Sequence, residues 1–130
     1  MAVEGSGWER LARGCLDAAH AMQAAGHWRA CVNRCYYAAY CAMAACVAGR
    51  VTFRGGKGNP DHGDLLAYVM RNIPDLTLET RHAVRKALSA LQKDRVSADY
   101  KPAARIDSAD ARAALRDAGI ALKGLRMPWT

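Results

Sequence analysis

No run of apolar residues in this sequence is long enough to cross a membrane. The longest uncharged stretch, Cys35 to Gly49, has 15 residues. A spanning helix needs roughly 20, so this stretch fits a buried core helix instead. A secretory leader is also missing from the sequence as read: Met1 to Gly14 mixes acids with arginines and has no apolar h-region. Valine is scarce and no segment alternates apolar with polar residues, which removes the usual signs of strands. Internal repeats and a break in composition are absent too. One domain over 1–130 is expected, and a chain of this length buries enough surface to fold without a disulfide or a metal. Paired CxxC thiols are lacking. The five cysteines are odd in number and four of them crowd positions 31 to 46. A secreted framework would use an even, spread set, so reduced thiols in a cytoplasmic protein are expected. Cys31, Cys35 and Cys46 share one helix side without an obvious fourth ligand, which reads as small core residues, with no metal and no cofactor. The "GGKGNP" stretch at 55–60 lacks the GxxxxGK[ST] spacing of a phosphate loop and follows no strand, so it reads as a flexible basic loop.

What is abundant is alanine and positive charge. Apolar residues make up 52% of the chain, with alanine prominent among them, which favours helix. The net charge is +7, and it is uneven: residues 1–65 hold 7 basic and 5 acidic groups, residues 66–130 hold 12 and 7. A basic surface of this kind admits a polyanion such as RNA.

Apolar spacing predicts an all-α fold, an antiparallel bundle of four long helices and one short one. The first helix spans about Gly7–Ala25, with Trp8, Leu11, Ala12, Cys15, Ala19 and Met22 as its inward stripe. Gly26 punctuates its end. The second, about His27–Ala48, is apolar nearly all round and should be central. One side is small (Cys31, Cys35, Ala38, Ala42, Cys46). The other, Asn33, Tyr36, Tyr37 and Tyr40, is larger and must meet polar groups, because buried tyrosines need hydrogen-bond partners. After a loop at 49–60, Asn59 is a good cap and Pro60 a good first residue for a short helix to about Arg71. A fourth helix spans Leu78–Tyr100, with Val84, Ala87, Leu88 and Leu91 inward and Arg81, Arg85, Lys86 and Lys93 outward. Pro102 stops it by pushing Lys101 out of the α region. Asp107 or Ser108 caps a fifth helix with the stripe Ala111, Ala114, Leu115, Ala118, Leu122, Leu125. His20 and His82 fall on outward faces. His62 stands at the start of the short helix.

The stretch "RVSADYKP", residues 95–102, has a plain reading as a helix end. Arg95 and Asp99 are four apart and form an ion pair of about 0.3–0.5 kcal/mol if exposed. Tyr100 lies about 140° round from Arg95 at helical spacing, so it stands apart unless the helix bends or ends there. Arg34, leading an apolar run on a central helix, is expected to be buried and to need a carboxylate, with Asp99 as the candidate.

Taken together, "NRCYYAAYCAMAA" (33–45) and "RVSADYKP" resemble the HEPN domain family, closest to its small single-domain bacterial members. In those, a helix carrying Arg-x-Tyr-Tyr-Ala leads through a loop to a histidine near the next helix. An Arg-x-x-Ala-Asp-Tyr then precedes the last helix. The corresponding residues are Arg34, Tyr36, Tyr37 and Ala38, then His62, then Arg95, Ala98, Asp99 and Tyr100. The likeness runs from about residue 8 to 126, in the same order and with similar separations. It implies an all-α bundle that forms a homodimer and contacts RNA or a nucleotide near the dimer cleft. It further implies metal-independent ribonuclease chemistry of the toxin–antitoxin type, with a minimal nucleotidyltransferase as antitoxin partner. The alternative is a non-catalytic interaction module paired with such a partner. On this basis Arg95, Tyr100 and His62 are the catalytic candidates. Arg95, Asp99, Arg34 and Tyr37 are the candidates for RNA or nucleotide binding. The family's catalytic arginine is usually followed by a polar residue and, a few residues on, a histidine. Here Val96 is apolar and Tyr100 stands where the histidine belongs. Histidine titrates near neutrality and can take and give a proton. Tyrosine, near 10, is a weak base at pH 7. The motif as written suits holding a phosphate better than cutting beside it.

Overall fold

A computed structural model describes residues 2–47, 62–72 and 76–125, and among the described residues there are five helices and no strands. They are α1 (Ala2–Ala24), α2 (Trp28–Val47), α3 (His62–Asn72), α4 (Leu78–Tyr100) and α5 (Ser108–Gly124). α1 starts earlier than its apolar stripe suggests, and the other bounds fall within two residues of the spacing. The expected caps at Asn59 and Pro60 and the GGKGNP loop lie outside the described residues.

α2 is the central element. It packs against α1, α5 and α4, while among the described residues α3 touches only α2 and α4. Its small side is what allows this. Cys31, Cys35, Ala38 and Ala42 are all fully buried, and short side chains let neighbouring helix backbones approach closely. Met43, Leu65, Val84, Leu88, Leu91 and Leu122 fill the space between the helices. The inward stripes expected for α4 and α5 are buried or packed on this core. α1 corrects its expected stripe at one position: Leu11 is 56% exposed. α1 rests mainly on α2, which covers only a narrow band through Ala12 and Ala19, and Leu11 lies at its edge. Arg81 is a second correction. It does not simply face outward but donates to the carbonyls of Leu76 (3.2 Å) and Met70, tying the end of α3 to the start of α4.

The helix ends follow local chemistry. α1 stops at Gly26, whose φ of 77° is the left-handed region where a Cβ is costly. His27 N donates to Met22 O at 2.8 Å and Gly26 N to Gln23 O at 3.0 Å, the paired bonds of a Schellman motif. α5 opens with a capping box: Asp107 accepts from Ala109 N and Asp110 N, and Asp110 accepts from Asp107 N at 2.9 Å. α4 ends at Lys101, whose φ of −121° and ψ of 88° lie outside the α region that Pro102 disfavours for its predecessor. Among the described residues, no helix is long and apolar enough to cross a membrane.

Candidate functional site at the end of α4

The last turn of α4 brings Arg95, Asp99 and Tyr100 against the large side of α2. Arg95 is the hub. Its guanidinium carbon lies 4.8 Å from the ring centroid of Tyr36, 5.8 Å from that of Tyr37 and 5.5 Å from that of Tyr100. Tyr100 joins the group because the helix ends on it. The long arginine side chain reaches forward across the final turn to meet it. Each such cation–ring contact contributes about 0.5–1 kcal/mol at an exposed position and more when desolvated. The rings also touch one another. Tyr36 and Tyr37 meet edge to face at 5.0 Å. Tyr40 lies 6.4 Å from both, and Trp8 of α1 extends the run at 6.2 Å from Tyr40.

Charge at the hub is held in place from two directions. Burial works against the Arg95 cation, but Tyr37, Tyr36 and Tyr100 outweigh it and lift its pKa above the ordinary arginine value, with Tyr36 also hydrogen bonding to it. Arg95 is therefore a cation at any accessible pH. Asp99 Oδ2 accepts from Asn33 Nδ2 at 2.9 Å and lies 3.9 Å from Arg95 Nε. The Arg95 and Asp99 side chains are 16% and 25% exposed. At 3.9 Å the Nε contact is an ion pair and not a hydrogen bond, and that buried Nε has no other partner among the described residues. The corner faces outward through its rings: Tyr37 is 36% and Tyr100 69% exposed.

The sequence-stretch candidates thus divide. Arg95, Asp99, Tyr37 and Tyr100 come together. Arg34 does not. It is exposed, on a different face of α2, and its guanidinium lies beside the Cys15 thiol of α1. The expected Arg34–Asp99 pair is replaced by Asn33–Asp99, because adjacent residues on a helix point about 100° apart. It is Asn33 that faces α4. A hydrogen bond from Cys41 chiefly, opposed by burial and helped by Arg34, holds the Cys15 thiol down at about 6. His62 is the first residue of α3, and its side chain lies outside the described residues. Among the described residues no cluster of three or more His, Cys, Asp or Glu side chains is arranged to hold a metal ion. The cysteines are all free thiols.

Sequence reading missed Arg29. Its guanidinium donates to the carbonyls of Ser97 (3.4 Å), Ala98 (2.9 Å), Lys101 (3.2 Å), Pro102 (3.2 Å) and Ala104. A cation at a helix C-terminus is favourable in itself. The signal was available: Arg29, Asn33, Tyr36 and Tyr40 recur at i, i+4, i+7 and i+11, which is one face of one helix.

The HEPN domain family model matches residues 6–126. No curated protein and no solved structure matches the sequence. The matched span takes in all of α2 to α5, the Arg34-x-Tyr-Tyr-Ala segment and the Arg95–Tyr100 turn. The chain belongs to the HEPN domain family.

Proposed function

We propose that the Arg95 corner binds a ribonucleotide, in RNA or free, and that binding is its main task, with cleavage weak. One observation carries this reading: a permanently charged guanidinium sits among three tyrosine rings, two of which reach the surface. Such an arrangement offers a charge-assisted contact to a phosphate and a flat face to a base. The net charge of +7 adds long-range attraction for a polyanion.

Cleavage by 2′-hydroxyl attack needs one proton removed from that hydroxyl and one delivered to the leaving oxygen. Among the described side chains of this corner the titratable groups are Asp99 and the tyrosines, with no imidazole. Asp99 is engaged by Asn33 and Arg95, and a tyrosine hydroxyl gives up its proton only near pH 10. This supports the second reading, a non-catalytic module that works with a nucleotidyltransferase or another partner. Both readings take the protein to act as a homodimer in the cytoplasm, where its free thiols stay reduced. Light scattering tests the dimer: a single 14.1 kDa species at micromolar concentration contradicts it.

The deciding experiment follows labelled single-stranded RNA for binding and total RNA for cleavage, with Arg95→Ala alongside. Binding lost in the variant, with little cutting by either protein, is the expected result. Vigorous cleavage that depends on Arg95 makes the protein a ribonuclease and overturns the emphasis on binding.

A further inference from the structure

We propose that Arg29 is the positioning residue of this corner, fixing the last turn of α4 so that Tyr100 and Asp99 stay registered on Arg95. The inference rests on the reading above only for its functional consequence. Its structural content stands by itself.

The final carbonyls of any helix lack intrahelical donors. Here Ser97 O is taken by Lys101 N at 3.2 Å and Lys101 O by Ala104 N at 3.0 Å. One side chain adds further donors to this segment. Arg29 Nη1 serves Ser97, Ala98 and Lys101, while Nη2 serves Pro102 and Ala104. A single guanidinium therefore bridges the last helical turn and the turn that follows it. Its planar fork is what permits this. A lysine ammonium is a point charge with three donors and cannot span both segments in one fixed geometry.

The bonds matter because of where they lie. Tyr100 is the last residue of α4 and is mostly exposed. A helix end beside a proline would ordinarily fray, and Tyr100 would then leave the Arg95 guanidinium. One face of α2 prevents this at three successive levels. Arg29 holds the carbonyls, Asn33 holds the Asp99 carboxylate, and Tyr36 with Tyr37 holds Arg95. Asn33 reaches the corner through the Asp99 carboxylate, whereas Arg29 reaches it through main-chain carbonyls, so the effect of Arg29 passes through the backbone.

The test compares wild type with Arg29→Lys, which keeps the charge, and Arg29→Ala. Three quantities are read by NMR and titration. These are amide hydrogen exchange at Lys101 and Ala104, the Arg95 Nε–H and Tyr100 ring resonances, and affinity for a labelled single-stranded oligoribonucleotide. Both variants are expected to speed exchange at those amides by about ten- to a hundredfold, the worth of one or more lost charge-assisted bonds. They should also move the Arg95 and Tyr100 resonances and weaken the oligonucleotide, with Arg29→Lys failing to rescue. Arg29 variants that fold with unmoved resonances and unchanged exchange overturn the proposal. Should neither variant fold, wild type decides it: Lys101 and Ala104 amides exchanging as fast as an open loop contradict the clamp, and protected ones support it. Resonances that move in a protein whose wild type binds no ribonucleotide uphold Arg29 as positioning residue and sink the ribonucleotide reading instead.

Discussion

Asn33 Nδ2 donates to Asp99 Oδ2 across 2.9 Å, and Arg95 Nε approaches the same oxygen at 3.9 Å. The carboxylate is thus steered by a neutral amide from α2 more tightly than by the cation on its own helix. The consequence is that Arg95 is not locked by its ion pair. Its guanidinium face is left to the tyrosine rings, and its charge is only partly answered within the protein.

Replacing Asn33 with alanine removes the 2.9 Å hydrogen bond to the Asp99 carboxylate. The expected loss of stability is about 1.5 kcal/mol, read from a denaturant midpoint at unchanged slope. Asn33→Asp should cost more, because it sets a second negative charge against Asp99. In an Asp99→Ala background the Asn33→Ala change should become nearly neutral. Equal losses in both backgrounds would mean that the two side chains do not interact.

Gly124 closes α5 where it crosses α4. A Cβ at this position would run into Val84 Cγ2, a fully buried methyl group, with Thr80 Cγ2 also close at 3.4 Å. Glycine to alanine within a helix normally stabilises by roughly 0.5–1 kcal/mol. Here overpacking should win and Gly124→Ala should destabilise by about 1–3 kcal/mol, seen as a lower melting temperature. A rise in melting temperature would show that α4 and α5 are not so closely apposed.

The Cys15 thiol, held down at about 6, should alkylate with a pH midpoint well below that of an ordinary thiol near 8.5. Cys41 → Ala removes the largest downward influence and Arg34→Ala a smaller one, so both should raise the midpoint, the first further. Cys35 and Cys41, pushed up and buried, should stay unreactive until the protein unfolds. Peptide mapping after pH-stepped iodoacetamide checks all of these. A Cys15 midpoint unmoved by Arg34→Ala would remove Arg34 from the α1 contact.

Much of this fold is legible in the sequence because local rules are strong. α4 runs from Leu78 to Tyr100 as its spacing dictates, since Pro102 dictates the conformation of Lys101 and so the end. The two-sided character of α2 is legible too, because a small side and a tyrosine side cannot face the same neighbour. The candidate site is only half legible. Arg95, Asp99, Tyr37 and Tyr100 assemble, but Arg34 goes to Cys15 and Asn33 takes its expected place. Adjacent residues on one helix differ by about 100°, so choosing between them needs the rotation of α2 against α1 and α4. No pattern within α2 alone gives that rotation. Arg29 was legible only as a member of the face it shares with Asn33, Tyr36 and Tyr40. Its partners are backbone carbonyls, so the sequence shows its face but not what it binds.

Tyr100 separates two roles at the corner. Tyr100→Phe keeps the ring contact with Arg95 and removes only the hydroxyl, so it should weaken ribonucleotide binding less than Arg95→Ala does. Tyr100→His should raise any weak cleavage, because a group titrating near neutrality would then stand beside the arginine. Gel analysis of total RNA incubated with each protein checks this. A histidine variant no more active than wild type would mean that the corner lacks more than a proton acceptor.

The central claim is that Arg95 makes the contact to the ligand's phosphate, and the most direct measurement is the affinity of wild type and Arg95→Ala for one labelled single-stranded oligoribonucleotide at fixed salt. Circular dichroism establishes that both are folded. A charge-assisted contact to phosphate predicts a loss of about 1.5–3 kcal/mol, or roughly ten- to a hundredfold in affinity. Equal affinity of the two proteins, or no binding by either, would contradict the account and leave "RVSADY" as nothing more than the end of a helix.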